Sequence, residues 1–272
     1  MTAPIGIFDS GIGGLSVLKA LRAALPHEDF IYLADNSHAP YGERDTAHVL
    51  ARSRAVTQYL VDQGIKALVV ACNTATAAAI NLLRAEYPTL PISGVEPAVK
   101  PAVSISKTGH IGVMATRSTL ASARFHALLA AHAGVAQFAL QPCDGLADAI
   151  ERGASIMDAT EIMASCARHT GAMGLFGTQP GRIDTLVLGC THYPFASEHL
   201  QALVGTDVTL VENGEAVARQ TQRLLIGMVG SVKPTASGPG RITLMTNGDV
   251  HILKAAAGKW LALREPVDLL HF

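Results

Sequence analysis

Charge is scarce in this chain. Only 16% of its 272 residues are charged, the formal net charge is -1, and no long basic or acidic block occurs. That argues against nucleic acid or an anionic membrane as the main partner. No uninterrupted apolar run is long enough to span a bilayer. The first residues lead into IGIFDSGIGG with no basic stretch, apolar core and cleavage site ahead of it, so no secretory signal is expected. A cytoplasmic protein is the default expectation. Cysteine is sparse as well. Cys72, Cys143, Cys166 and Cys190 read as free thiols of a reducing compartment rather than a disulfide framework. There is no CxxC or HxxxH pair to complete a zinc tetrahedron around Cys190 and His192. There is no Walker A motif, and FDSGIGGLS, residues 8–16, lacks the third glycine of a dinucleotide-binding turn.

What the chain does have is apolar material, 49% of its residues, enough for a buried core in one large α/β domain or two lobes. Short apolar runs alternate with longer amphipathic stretches. Strands are expected over residues 5–8, 30–34, 67–71 and 92–95, with helices over 15–25, 46–63 and 74–87. This rhythm predicts a parallel sheet covered by helices on both faces. The pattern then restarts. HIGVMATRST at 110–119 resembles PIGIFDSGIG at 4–13. Further strands are expected over 137–141, 185–188, 208–211 and 241–246, with helices over 125–133, 146–151, 157–169, 198–203 and 216–228. Residues 231–240 read as a Ser/Pro/Gly-rich loop, with a helix in the tail beyond it. The offset between the two Ile-Gly strands is close to that between ALVVACNTAT, residues 67–76, and TLVLGCTHYP, residues 185–194. Two similar doubly wound α/β lobes, related by internal duplication, are therefore predicted.

Parallel sheets bind ligands beyond the carboxyl ends of their strands. Asp9, Ser10, Cys72, Asn73, Thr74, Thr116, Cys190, Thr191 and His192 all fall there, each group ahead of an expected helix whose N-terminus favours negative charge. Either Cys alone reads as a small buried apolar residue, and Cys143 and Cys166 keep that reading. A matched pair followed by polar donors reads differently. Two thiols facing one carbon from opposite sides can remove a proton from one face and return one to the other. Asp9 and His192 are suited to handle protons beside them. Asn73, Thr74, Thr116 and Thr191 offer neutral donors for a carboxylate. The glycines of DSGIGG allow a tight turn and close backbone approach to a ligand. A Cys–His hydrolase would leave Cys72 without a role. A two-lobed binding protein would explain the lobes but not the thiols. A pyridoxal enzyme needs a lysine that these strand ends lack.

DSGIGGLSVLK, PYG, ACNTAT, GCTHYP and the NGD at 247–249 together resemble the cofactor-independent glutamate racemases of the aspartate/glutamate racemase superfamily, along nearly the whole chain. The resemblance implies two α/β lobes around a buried cleft. Residues 1–95 with 208–272 would form the first lobe and 96–207 the second. It implies interconversion of L- and D-glutamate with no cofactor and no metal, supplying D-glutamate for peptidoglycan. Cys72 would act on D-glutamate and Cys190 on L-glutamate, assisted by Asp9 and His192. The family's acidic helper falls on Glu151 in GLADAIERG. Substrate contacts would come from Asp9, Ser10, Pro40, Tyr41, Gly42, Cys72, Asn73, Thr74, Thr116, Thr119, Cys190, Thr191 and His192. The expected partner is glutamate, without nucleic acid or membrane, and a homodimer is left open. An aspartate or hydantoin racemase is the nearest alternative. The chain departs from the family at Ala34-Asp35, where Gly-Asp is usual, and at Glu212-Asn213, where Asp-Ser is usual. It begins without the extension that in some members accompanies activation by a cell-wall precursor, which counts against such activation here.

Overall fold

The computed structural model describes residues 3–156, 159–228 and 238–271. In chain order, β1 (Ile5–Asp9), α1 (Leu15–Ala24), β2 (Phe30–Ala34), α2 (Thr46–Asp62), β3 (Ala67–Val70), α3 (Asn73–Glu86) and β4 (Ile92–Gly94) make the first βα series. A second series follows as α4 (Val99–Ile105), β5 (His110–Ala115), α5 (Arg117–Ala121), α6 (Ala123–Ala130), β6 (Gln137–Pro142), α7 (Leu146–Ile156), α8 (Thr160–Gly171), β7 (Thr185–Leu188), α9 (Ser197–Val204) and β8 (Thr209–Val211). The chain ends with α10 (Gly214–Met228), β9 (Ile242–Thr246), α11 (Val250–Leu261) and β10 (Val267–Leu269). The start of the helix expected at 157–169 and most of the loop expected at 231–240 lie outside the described residues.

Among the described residues the strands form two sheets, β10-β9-β2-β1-β3-β4 and β6-β5-β7-β8. Every pairing is parallel. The core run β2-β1-β3-β4 is repeated as β6-β5-β7-β8, so the two Ile-Gly strands occupy equivalent places, as do the two strands leading to Cys72 and Cys190. The apolar runs are continuous because both faces of each sheet are covered. Ile5, Ile7, Ala67 and Val69 point to one side of the first sheet, packing with Leu15, Leu18 and Leu21 of α1. Phe8, Leu68 and Val70 point to the other, against Val56 and Leu60 of α2 and Ala79 and Leu83 of α3. No helix among the described residues is long and apolar enough to cross a membrane.

The expected return to the first lobe at residue 208 comes too early. Val208 packs in the second core, and β8 pairs with β7. Only a short turn separates α9 from β8, so the strand completes a compact βαβ unit with its predecessor. The crossing is made by α10. Gly214 at its start packs so closely on α1 that a Cβ there would lie 3.0 Å from the Ala20 Cβ. Asn213, one of the unusual residues, ties this junction to the second sheet by donating to the Leu188 carbonyl at 3.1 Å. The tail then adds β9 beside β2, and a further strand, β10, beyond it. That last strand, α4 and α5 are too short to register in a periodicity reading.

Candidate active site

In a sheet of order 2-1-3-4 the chain reverses its direction of travel at β1, which opens a crevice past the ends of β1 and β3. Asp9 and Cys72 stand at that crevice in the first sheet. Thr116 and Cys190 stand at its counterpart in the second. The two crevices merge into one cleft of about 360 Å³, in the range of small-molecule sites. Asp9, Ser10, Pro40, Tyr41, Gly42, Cys72, Asn73, Thr74, Thr116, Glu151, Cys190, Thr191 and His192 all line it. Thr119 does not. It is buried behind Thr116, whose Oγ1 donates to its hydroxyl at 2.9 Å and accepts its N–H at 3.2 Å. Thr119 therefore braces a lining residue instead of reaching the cleft. Asn73 is 97% shielded, and neither atom of its side-chain amide has a partner. A buried amide left open at a cleft is a waiting contact for a polar ligand.

The thiols differ in their surroundings. Cys72 caps α3, its Sγ accepting the Ala75 N–H at 3.5 Å and donating to Ser10 Oγ at 3.8 Å. Burial raises it well above the ordinary thiol range, and the Asp9 carboxylate and the charge of Cys190 add to that. Cys72 thus rests as a thiol. Cys190 is not at the start of an α-helix as expected. A single 3-10 turn, Tyr193–Ala196, follows it before α9 begins. Its partner is instead His192, with Nδ1 3.7 Å from Sγ. His192 Nε2 in turn lies 2.7 Å from Glu151 Oε1. For His192, burial is the largest influence and acts to lower it. The hydrogen bonds to Cys190 and Glu151, and their charges, outweigh burial and hold the imidazole well above its ordinary 6.5. The protonated ring is the partner that a thiolate needs.

This gives a pH prediction. A histidine whose folded value is raised adds stability that is full below its unfolded pKa and is lost as pH rises through the folded one. The gap in urea midpoint between wild type and His192→Gln is therefore greatest below 6.5 and narrows as the solution becomes alkaline. A gap that widens with pH would contradict the assignment.

Asp9 is fully buried, and burial raises its carboxyl above the ordinary range while the charge of His192 and a bond from Thr191 act against it. It links the lobes, since Thr191 Oγ1 donates to Asp9 Oδ2 at 3.0 Å. Thr74 and Thr116 meet across the same boundary at 3.1 Å, and Ser118 Oγ donates to the Gly42 carbonyl at 2.7 Å.

Two further positions at or beside the cleft are not among the expected site residues. Asp35 is fully buried at the end of β2 and accepts from Tyr41 Oη at 2.5 Å, from Arg52 Nη2 at 2.8 Å and from Asn247 Nδ2 at 2.5 Å. It fixes the Pro40-Tyr41-Gly42 turn against the cleft. Cys143, read as a plain core residue, is buried but also lines the cleft, and burial raises its thiol. It follows β6 as Cys190 follows β7, and that strand-end position is the signal that could have found it. Cys166 stays in the core, pushed up to about 11 by burial.

Two parallel-sheet lobes, with a thiol from each opening on a shared cleft, define the class to which the comparisons lead. A model of the Asp/Glu/Hydantoin racemase family matches residues 7–221, and the chain belongs to that family. Within it, a glutamate racemase from Ectopseudomonas mendocina is 47% identical over 255 residues, 93% of this chain and 92% of its own. Among solved structures, a glutamate racemase isoform from Bacillus anthracis superposes with TM-score 0.84 at 29% identity, covering 99% of this chain and 98% of that one. The Escherichia coli glutamate racemase, solved with L-glutamate and the activator UDP-MurNAc-ala, gives TM-score 0.83 at 28% identity over 98% of both chains.

Proposed function

We propose that this protein is a glutamate racemase that works by two-base proton transfer. The observation that carries the reading is the pairing of two thiols at equivalent strand ends of duplicated sheets, on one cleft. Starting from L-glutamate, the Cys190 thiolate takes the Cα proton and the resting Cys72 thiol delivers its proton to the opposite face. The product is D-glutamate, with the thiolate now on Cys72. Starting from D-glutamate, the roles reverse. His192, held by Glu151, attends the Cys190 side, and Asp9 attends the Cys72 side. The unpartnered Asn73 amide and the threonine hydroxyls supply neutral donors for the substrate carboxylates, which stabilise the charge that builds on the α-carboxylate during transfer. The D-glutamate formed serves peptidoglycan synthesis, as the family resemblance implies.

Incubation with single enantiomers tests the substrate. L- and D-glutamate each lose optical rotation without added pyridoxal phosphate, whereas the aspartate enantiomers keep theirs. Aspartate turnover with inert glutamate would replace this reading by the aspartate-specific one.

A further inference from the structure

Glu151 belongs to α7 of the second lobe, yet the first lobe holds it. Its Oε1 accepts from the Ile12 N–H at 2.7 Å, alongside His192, and its Oε2 accepts from Asn36 Nδ2 at 3.1 Å. Asn36 lies in the turn after β2, and the tail of the chain fixes it. The hydroxyl of Thr246, which accepts the Gly248 N–H at 3.1 Å, shares its proton between the Ala34 carbonyl at 3.0 Å and Asn36 Oδ1 at 3.3 Å. That contact orients the amide so that its nitrogen faces Glu151. Gly248 packs directly on the residue, since a Cβ there would lie 2.6 Å from the Asn36 Cβ. Gly248 of the NGD at 247–249, a motif that the proposed chemistry leaves unused, thus helps to build the seat of this amide.

We propose that Asn36 is a positioning residue for proton transfer at Cys190, its amide holding Glu151 against His192 across the lobe boundary. The inference rests on the two-thiol reading above. A carboxylate that accepts from a fixed donor keeps its place, and Glu151 needs that place to support the imidazolium. Among the described residues no hydrogen bond joins Asn36 or Glu151 to Cys72, so the effect of the amide is expected on the Cys190 half-reaction.

The test uses exchange of the Cα proton with deuterium in proteins with one reactive thiol removed. In a Cys72→Ala protein only Cys190 remains; with no opposite thiol to complete the transfer, the deprotonated substrate persists until the Cys190 thiol proton has exchanged with solvent, and L-glutamate returns labelled. In a Cys190→Ala protein only Cys72 remains to exchange D-glutamate. Adding Asn36→Ala lowers L-glutamate exchange about tenfold at saturation, the size of one hydrogen bond to a charged group, with KM unchanged. It leaves D-glutamate exchange in the Cys190→Ala protein at its starting rate. Asn36→Asp keeps the shape and packing but replaces the donor by a carboxylate, and it lowers L-glutamate exchange at least as far. Equal loss in both backgrounds would reduce Asn36 to a structural role. No loss in either, or full exchange in Asn36→Asp, would overturn the proposal while leaving the thiols in place. If neither single-thiol parent exchanges glutamate, the two-thiol reading itself fails, and this inference fails with it.

Discussion

Cys72→Ala and Cys190→Ala each abolish racemisation, by at least about 10²–10⁴-fold, the usual worth of a positioned acid or base. Neither substitution disturbs the fold. Both side chains are buried among core residues on one side but open on the cleft on the other, so truncation enlarges an existing space instead of creating a cavity. Each variant keeps one working thiol, so each still exchanges the Cα proton of a single enantiomer, L-glutamate for Cys72→Ala and D-glutamate for Cys190→Ala. The asymmetry of the surroundings makes the pair of variants informative. Cys72 has a helix N-terminus, Ser10 and Asp9; Cys190 has His192 and Glu151. Full racemase activity in Cys72→Ala would leave Cys190 as a sole base and remove the reason for the duplication at these strand ends.

Gly11→Ala has the next largest effect, and it falls on activity more than on stability. A Cβ at Gly11 would stand 1.8 Å from Glu151 Oε1 and 2.8 Å from its Cδ. Gly11 is not among the glycines with positive φ, so its backbone accepts an alanine. What must move is the end of a flexible side chain, and the cost to the fold is that of the hydrogen bonds it gives up, about 1–3 kcal/mol. The carboxylate that moves is the one seated 2.7 Å from His192. With the relay broken, kcat falls about 10²-fold while the urea midpoint falls only modestly. Paired measurements of kcat and denaturation decide this. An unchanged kcat would show that Glu151 has no part in the reaction, and a collapsed midpoint with proportionate loss of activity would show that Gly11 serves the chain alone.

That prediction also shows what the sequence could and could not convey. The strand ends were legible because apolar runs that stop at polar, reactive residues have a direct meaning in a parallel sheet. Cys72, Cys190, Asp9 and Thr116 converge for that reason. The glycines of DSGIGG were legible only as a sign of close approach. What approaches is not the ligand alone but the second lobe, for a Cβ at Gly13 would lie 2.3 Å from His192 Nδ1. Such a contact joins residues far apart in the chain, and no local pattern encodes it. Asn36 and Asp35 are not legible as parts of the site for the same reason. Each looks like an ordinary turn residue until Thr246, Asn247 and Arg52 are placed beside it. Glu151 came from family resemblance and not from spacing, since its position in α7 gains meaning only from His192, on a different element. The boundary expected near residue 208 is not legible because strand periodicity does not say which sheet a strand joins.

The central claim is that two bases act on opposite faces of one carbon, and the first turnovers in deuterium oxide test it most directly. Thiol protons exchange with solvent before substrate binds, so the base that delivers carries deuterium, and in the wild type it delivers before the protium taken by the other base can exchange with solvent. Starting from L-glutamate, the account predicts that D-glutamate formed early carries one deuterium at Cα while the recovered L-glutamate carries none. Early label appearing equally in both enantiomers would mean that a single base serves both faces, and would contradict the account.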